Sequence, residues 1–239
     1  MFDLVLYPVS AILWCWHTLF SGLLPADAAW SLAIVFLVFT VRALLVKPAV
    51  RQLRAARRAR ELAPRLEKLR ARYGRDRQRL AREIQKLHAD NGTSPFAGCL
   101  PALIQLPVFL GLYWVLRGFT EGAESNQVFD RAAVADFLHA DLFGAPLGDW
   151  IGQGATPAML AVGGALMLVA ATATWLTMRA SLRRQPGTDP RFAAVGRAMQ
   201  YLAPAGILAS GAFFPVPIAV LLYFAANNLW SFAQQHVLA

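Results

Sequence analysis

The stretch AAWSLAIVFLVFTVRALLV, residues 28–46, constrains this chain most: it is long and apolar enough to cross a bilayer and carries one charge, Arg42. A helix that crosses the hydrocarbon core needs about 20 predominantly apolar residues. An open sheet edge is excluded there, because lipid offers no partner to unpaired backbone groups. An arginine inside such a run costs at least roughly 2.5–3.5 kcal/mol on insertion scales, so it is retained for function or shielded by packing.

The rest of the composition agrees with a membrane protein. Of 239 residues, 57% are hydrophobic and 15% are charged, against about 25% charged in soluble domains. The net charge of +9 is unevenly placed. Fifteen of the 23 Lys and Arg residues lie between Lys47 and Lys86, and five more between Arg179 and Arg197. Clusters of this kind mark the cytoplasmic loops of polytopic membrane proteins. Cys15 and Cys99 both sit in apolar segments and suggest neither a disulfide framework nor a metal site. No basic segment precedes the first apolar stretch, so a cleaved signal peptide is not expected.

The expected fold is all-α: a polytopic membrane protein with a five-helix core, a cytoplasmic antiparallel helical hairpin and an N-terminal interfacial helix. Residues 1–27 form the N-terminal amphipathic segment. Spans follow at 28–48, 96–118 and 156–178, and a tight hairpin of two further spans occupies 198–235. The basic segment 49–95, the loop 179–197 and the tail 236–239 are expected inside, at a bacterial plasma membrane, and the acidic loop 119–155 outside. The stretch 198–214 is short for a span. Residues 4–24 are uncharged and could themselves cross. However, Asp3, Ser10, His17 and Ser21 share one helical face, which favours a helix lying in the outer interface.

The basic segment has its own pattern. Leu62, Leu66, Leu69 and Tyr73 recur at helical spacing, Gly74 breaks the repeat, and Leu80, Ile84 and Leu87 resume it. Two amphipathic helices folded back on each other follow from that spacing. Fifteen cations against five acids leave a strongly cationic surface. It suits anionic lipid heads or ribosomal RNA, or it is simply the inner-side charge bias with a solvated face.

The usual catalytic signatures are absent from the sequence. There is no GxxxxGK[ST] loop, no HExxH and no GxSxG, and the four histidines lack ligand spacing. Neither an enzyme nor a bound metal or cofactor is expected. What the spans contain is one cation and several neutral polar groups: Thr40 and Arg42, Gln105, a threonine series at 172–177, and Asn227 and Asn228. Interhelical hydrogen bonding accounts for the threonines and Asn227, and snorkelling toward Lys47 would account for Arg42 being tolerated. A hydrated cavity open to the inner side accounts for Arg42, Gln105 and Asn228 together.

Several stretches then carry a resemblance. SPFAGCLPALIQLPVFLGLYW, residues 94–114, resembles the N-P-x-G-G-C-x-P-x-L-x-Q-x-P-x-F pattern of YidC-type membrane protein insertases, with Ser94 and Ala97 departing from it. TVRALLVKPAV at 40–50, HADLFGAPL at 139–147, MQYLAP at 199–204 and LLYFAANNLWSFAQQ at 221–235 are similar to further motifs of that family, in the family's order. The resemblance implies an insertase with no cofactor. Its hydrophilic groove is open to the cytoplasm and contains Arg42, Gln105, Thr40, Tyr223 and Asn228. It further implies an apolar slide of Leu103, Leu106, Phe109, Leu110 and Leu208, and a hairpin surface including Arg57, Arg58, Arg65, Arg70 and Arg72. Nascent membrane proteins and the bilayer are the implied partners, with the ribosome and the Sec translocon as further candidates, and a monomer is expected. Two departures bear on the groove. Val38 stands where some members place a threonine four residues before the arginine, and Phe224 stands where a second tyrosine is common. A small-anion transporter or channel, with Arg42 as the anion site, is the alternative.

Overall fold

The structure is a computed structural model that describes residues 3–47, 50, 54, 58, 61–92, 100–121, 123–152, 154, 156–183 and 190–237; side chains are described for all of these except 3, 63, 100–105, 190–193 and 212. Arg57 and the side chains of Leu103 and Gln105 therefore lie outside the described residues. The described part is all-α, apart from two short two-stranded ribbons.

Helix α1 (Asp3–Ser21) and helix α2 (Ala26–Leu44) form a hairpin. The amides of Leu23 and Leu24 both donate to the Phe20 carbonyl at 2.9 Å, which closes the last turn of α1. Pro25 then precedes α2, where its fixed φ suits the approach to a helix start. Helix α3 (Ala63–Tyr73) and helix α4 (Arg77–Asp90) pack against each other across the break at Gly74. The Asp76 carboxylate accepts from the Arg79 amide at 3.0 Å and caps α4. Leu62 and His88 are buried in this pair, and Leu66, Leu69, Tyr73, Leu80, Ile84 and Leu87 are half-buried along the seam.

Helix α5 (Leu100–Arg117) rests against α1. The close approach needs Gly111, because a Cβ there would come 3.0 Å from Val5 Cγ1 and 3.3 Å from Val9 Cγ2. Helix α7 (Pro157–Arg183), helix α8 (Pro190–Phe213) and helix α9 (Ile218–Val237) complete the bundle. Helix α8 packs along α7, while α9 lies against α7, α2 and α5. Ile218 through Leu221, Tyr223, Ala225 and Ala226 of α9 are all buried, so α9 joins the two halves of the bundle.

Helix boundaries differ from apolar boundaries. The apolar stretch begins near 198, but α8 begins at Pro190; α7 continues past 178 to Arg183. Hydropathy marks where lipid would end, whereas backbone hydrogen bonding continues through the amphipathic turns beyond it, and proline is favoured at a helix start. Among the described residues, three helices are long and apolar enough to cross a membrane: α1 from Leu4, α2 and α7; α5 has a shorter apolar portion, Leu106–Arg117.

Residues between α5 and α7 form a folded cap on one end of the bundle. It holds the ribbon β1–β2 (Ser125–Asn126, Phe129–Asp130), helix α6 (Arg131–His139) and the ribbon β3–β4 (Asp141–Leu142, Ala145–Pro146). Backbone and side-chain bonds tie it down. Asn126 Nδ2 donates to the Val115 carbonyl at 2.6 Å, the Asp141 amide donates to Asp27 Oδ1 at 3.0 Å, and the Ala219 amide donates to the Leu147 carbonyl at 3.0 Å. Trp30, fully buried, is clasped by Phe119, Phe129 and Phe137 at ring distances of 5.6, 5.5 and 5.1 Å, and its Nε1 donates to Asp136 Oδ2 at 2.9 Å. His17 stacks on the same indole at 3.8 Å, with Nε2 3.4 Å from that carboxylate.

Candidate functional site: the polar seam between α2 and α9

Most of the α2–α9 contact is apolar, and a single cation interrupts it. Arg42 lies in the last turn of α2 and is half-buried. Its Nε and Nη2 both donate to Asn227 Oδ1, at 3.0 and 2.8 Å, and Nη2 also donates to Ser231 Oγ at 2.8 Å. Ser231 can accept because its own hydrogen is committed to the Asn227 carbonyl at 2.9 Å. Tyr223, Asn227 and Ser231 recur at a spacing of four, so they form one stripe on α9.

The electrostatics of this cluster are unusual for a half-buried charge. Both partners are neutral, and no carboxylate pairs with Arg42 among the described residues. A guanidinium has five N–H donors. Three are used here, and neither hydrogen of Nη1 has a partner among the described residues. Among the described residues the site therefore holds a positioned positive charge without a carboxylate partner and with donor capacity left over. Such a group can attract and hydrogen-bond a carboxylate or other anionic or polar segment.

The other sequence-derived groove residues are placed as follows. Tyr223 is buried one turn before Asn227, its ring 6.1 Å from Phe109. Thr40 is two residues from Arg42, a rotation of about 200°. It faces α1 instead, accepting from Trp16 Nε1 at 2.9 Å and donating to the Phe36 carbonyl at 2.8 Å. Asn228 turns to α7: its Oδ1 accepts from Thr174 Oγ1 at 2.8 Å, and its Nδ2 donates to the Phe224 carbonyl at 2.8 Å. The structure thus brings Arg42 to Asn227 and Ser231, not to Thr40 or Asn228. Sequence reading assigned Asn227 to ordinary helix packing and passed over Ser231. The signal that points to them is the four-residue repeat from Tyr223.

Among the slide residues, Leu106 and Leu110 are exposed one turn apart on α5, and Phe109 between them is half-buried, 4.9 Å from the Phe224 ring. Leu208 is exposed on α8. Helices α5 and α8 share no extended packed face among the described residues, so these leucines line separate surfaces. On the basic hairpin, Arg58, Arg65 and Arg72 are exposed and Arg70 is half-buried. Arg72 and Arg79 flank the Tyr73 ring at 5.4 and 5.0 Å from its centroid, which ties the two helices by cation–π contacts.

Comparison with known proteins bears on this arrangement directly. The family model described as 60Kd inner membrane protein matches residues 22–239, which take in α2, the basic hairpin and the α2–α9 seam. The chain belongs to this family. Its relatives include proteins named membrane protein insertase YidC. One from Mycolicibacterium paratuberculosis is 44% identical over 98% of this chain and 74% of the relative. Another from Mycobacterium tuberculosis is 43% identical over 98% of this chain and 71% of the relative. A third from Streptomyces avermitilis is 34% identical over 98% of this chain and 57% of the relative. Membership in the YidC-type family places the Arg42 cluster in a bacterial multi-pass membrane protein.

Proposed function

We propose that this family member is a membrane protein insertase and that the Arg42 cluster receives the polar part of an incoming chain. The single observation that carries the reading is a half-buried guanidinium that, among the described residues, bonds only to neutral groups and leaves two N–H donors unused. Five spans place the basic hairpin and the chain end in the cytoplasm and the α6 cap outside, by the distribution of Lys and Arg. The cluster opens toward the cytoplasm with Tyr223 beside it, and Gln105 of α5 is proposed as a further groove residue. Thr40 and Asn228 act one step out, holding α1 and α7 in register.

Insertion then divides into two parts. The apolar segment of the substrate moves along Leu103, Leu106, Phe109 and Leu110 of α5 and past Leu208 of α8 into lipid, driven by burial at about 25 cal/mol per Å². The polar segment, acidic in many substrates, would be stranded without a partner. Arg42 lowers that barrier by charge attraction and charge-assisted hydrogen bonds. The chemistry needs no bond making or breaking and no cofactor. The exposed arginines Arg58, Arg65 and Arg72 of the hairpin offer an anionic-surface contact suited to the ribosome or the inner lipid face, with Arg57 and Arg70 as further candidates.

The test is insertion into proteoliposomes of a substrate with an acidic outer segment and its neutralised counterpart. Loss of one charge-assisted bond, about 1.5–3 kcal/mol, predicts that Arg42→Ala slows the acidic substrate by about tenfold or more and the neutral one little. Equal rates for Arg42→Ala and the parent on the acidic substrate would remove this role from Arg42.

A further inference from the structure

Helices α7 and α9 run parallel: Gly163 approaches Ile218 near their starts, and Thr174 bonds to Asn228 farther along. Near their C-terminal ends the pair leaves an open pocket of about 420 Å³, lined by Leu176, Arg179, Ala180, Arg183, Phe232 and His236. It adjoins a second hollow of about 340 Å³ through the shared residues Leu176 and Phe232. The second is almost wholly apolar, with Leu168, Val169, Thr172, Ala173 and Leu229 completing its wall. The two make one trough, cationic at one end and greasy along the rest.

The dimensions and charges select an occupant. From Leu168 to Leu176 the apolar wall spans nine residues, about 12 Å of helix rise. Arg179 and Arg183 extend it by about 10 Å more. One leaflet of a bilayer contributes about 15 Å of hydrocarbon, so the trough matches an acyl chain with its headgroup at the arginines. Neither α7 nor α9 contains an aspartate or glutamate anywhere. Arg179 and Arg183 are exposed and have no carboxylate partner among the described residues. The Arg179 guanidinium lies 4.8 Å over the Trp175 ring, which restricts it before any ligand arrives. His236 is held by its Nδ1, 3.0 Å from the Phe232 carbonyl, leaving Nε2 as the second polar atom of the ring. The two helix C-termini oppose an anion with about half a charge each, against two full guanidinium charges. A polypeptide helix, about 10–12 Å across, is too wide for hollows of this volume.

We propose that the α7–α9 trough binds one anionic glycerophospholipid, its phosphate at Arg179 and Arg183 and an acyl chain along Leu168 to Leu176. The site lies on the far side of α9 from Arg42, so it is separate from the insertion cluster. Its occupant fills the pocket between two helices that would otherwise leave a hollow at their ends, fixing α9 against α7.

Native mass spectrometry of the full chain in detergent, with phosphatidylglycerol or phosphatidylcholine added, tests it. Two cation contacts near a membrane surface correspond to roughly tenfold or greater preference for phosphatidylglycerol. Arg179→Gln/Arg183→Gln is expected to abolish that preference, while Arg117→Gln/Arg131→Gln, two exposed arginines beside the cap, leaves it intact. Thr172→Trp, at an exposed position in the apolar wall, is expected to reduce phosphatidylglycerol retention with both arginines present. Inorganic phosphate in large excess is expected to leave the lipid bound. Equal retention of the two lipids, an unchanged preference after Arg179→Gln/Arg183→Gln, or an equal loss from Arg117→Gln/Arg131→Gln overturns the proposal. So does displacement by inorganic phosphate, which would show an anion site without a lipid. An unaltered lipid yield in Thr172→Trp, or capture of polypeptide by a photocrosslinker at Thr172, does the same.

Discussion

Replacing Asn227 with aspartate changes one side-chain group and adds one charge at the oxygen that already takes two hydrogen bonds from Arg42. The observed N···O distances are 3.0 and 2.8 Å, so the carboxylate needs no rearrangement to form a paired salt bridge. With charge centres about 4 Å apart and an effective dielectric near 20, the attraction is about 4 kcal/mol before desolvation. Even if desolvation of the new carboxylate removes half of it, Arg42 is held by an internal anion that competes with any acidic substrate segment. Stability and activity should therefore separate. Asn227→Asp is expected to unfold in mixed micelles no earlier than the parent, yet to insert the acidic-segment substrate nearly as slowly as Arg42→Ala. Neutral-segment substrates should be affected little by either change. Parent-like insertion of the acidic substrate by a stably folded Asn227→Asp would refute the argument, since a neutralised guanidinium would then serve as well as a free one.

Two further outcomes follow from the packing. Asp136→Ala leaves the fully buried Trp30 Nε1 without its acceptor and is expected to lower stability by about 1–3 kcal/mol. Asp136→Asn keeps an acceptor oxygen and should lose well under half of that; equal losses in thermal unfolding of the two variants would disprove the role of the indole bond. Gly111→Leu forces side-chain atoms into Val5 and Val9 and is expected to destabilise by about 1–3 kcal/mol. A cysteine crosslink between α1 and α5 that forms as readily in Gly111→Leu as in the parent would show that the close approach is not needed.

The sequence by itself determined the helical class, because long apolar runs admit no other solution in lipid, and the clustering of Lys and Arg supplies the expectation of which segments lie between spans. The break at Gly74 between two leucine repeats was legible for the same reason: local spacing carries it, and helices α3 and α4 follow. Arg42 was conspicuous because a charge in an apolar run has a cost visible without coordinates. Its partners were not. Asn227 and Asn228 are neighbours in the chain but about 100° apart on a helix, and which one meets Arg42 depends on how α9 is rotated between α2 and α7. Only the tertiary packing sets that rotation, through the buried stripe from Ile218 to Ala226. Thr40 was drawn to the arginine by proximity in sequence, yet Trp16 of α1 holds it on the opposite face. The folded cap around Trp30 was equally hidden, since its aromatic and carboxylate members come from α1, α2 and the segment beyond α5, and no single stretch contains enough of them to show a pattern. Periodicity is a property of one helix; the choice of neighbour belongs to the whole bundle, where side chains from distant segments compete for the same surface.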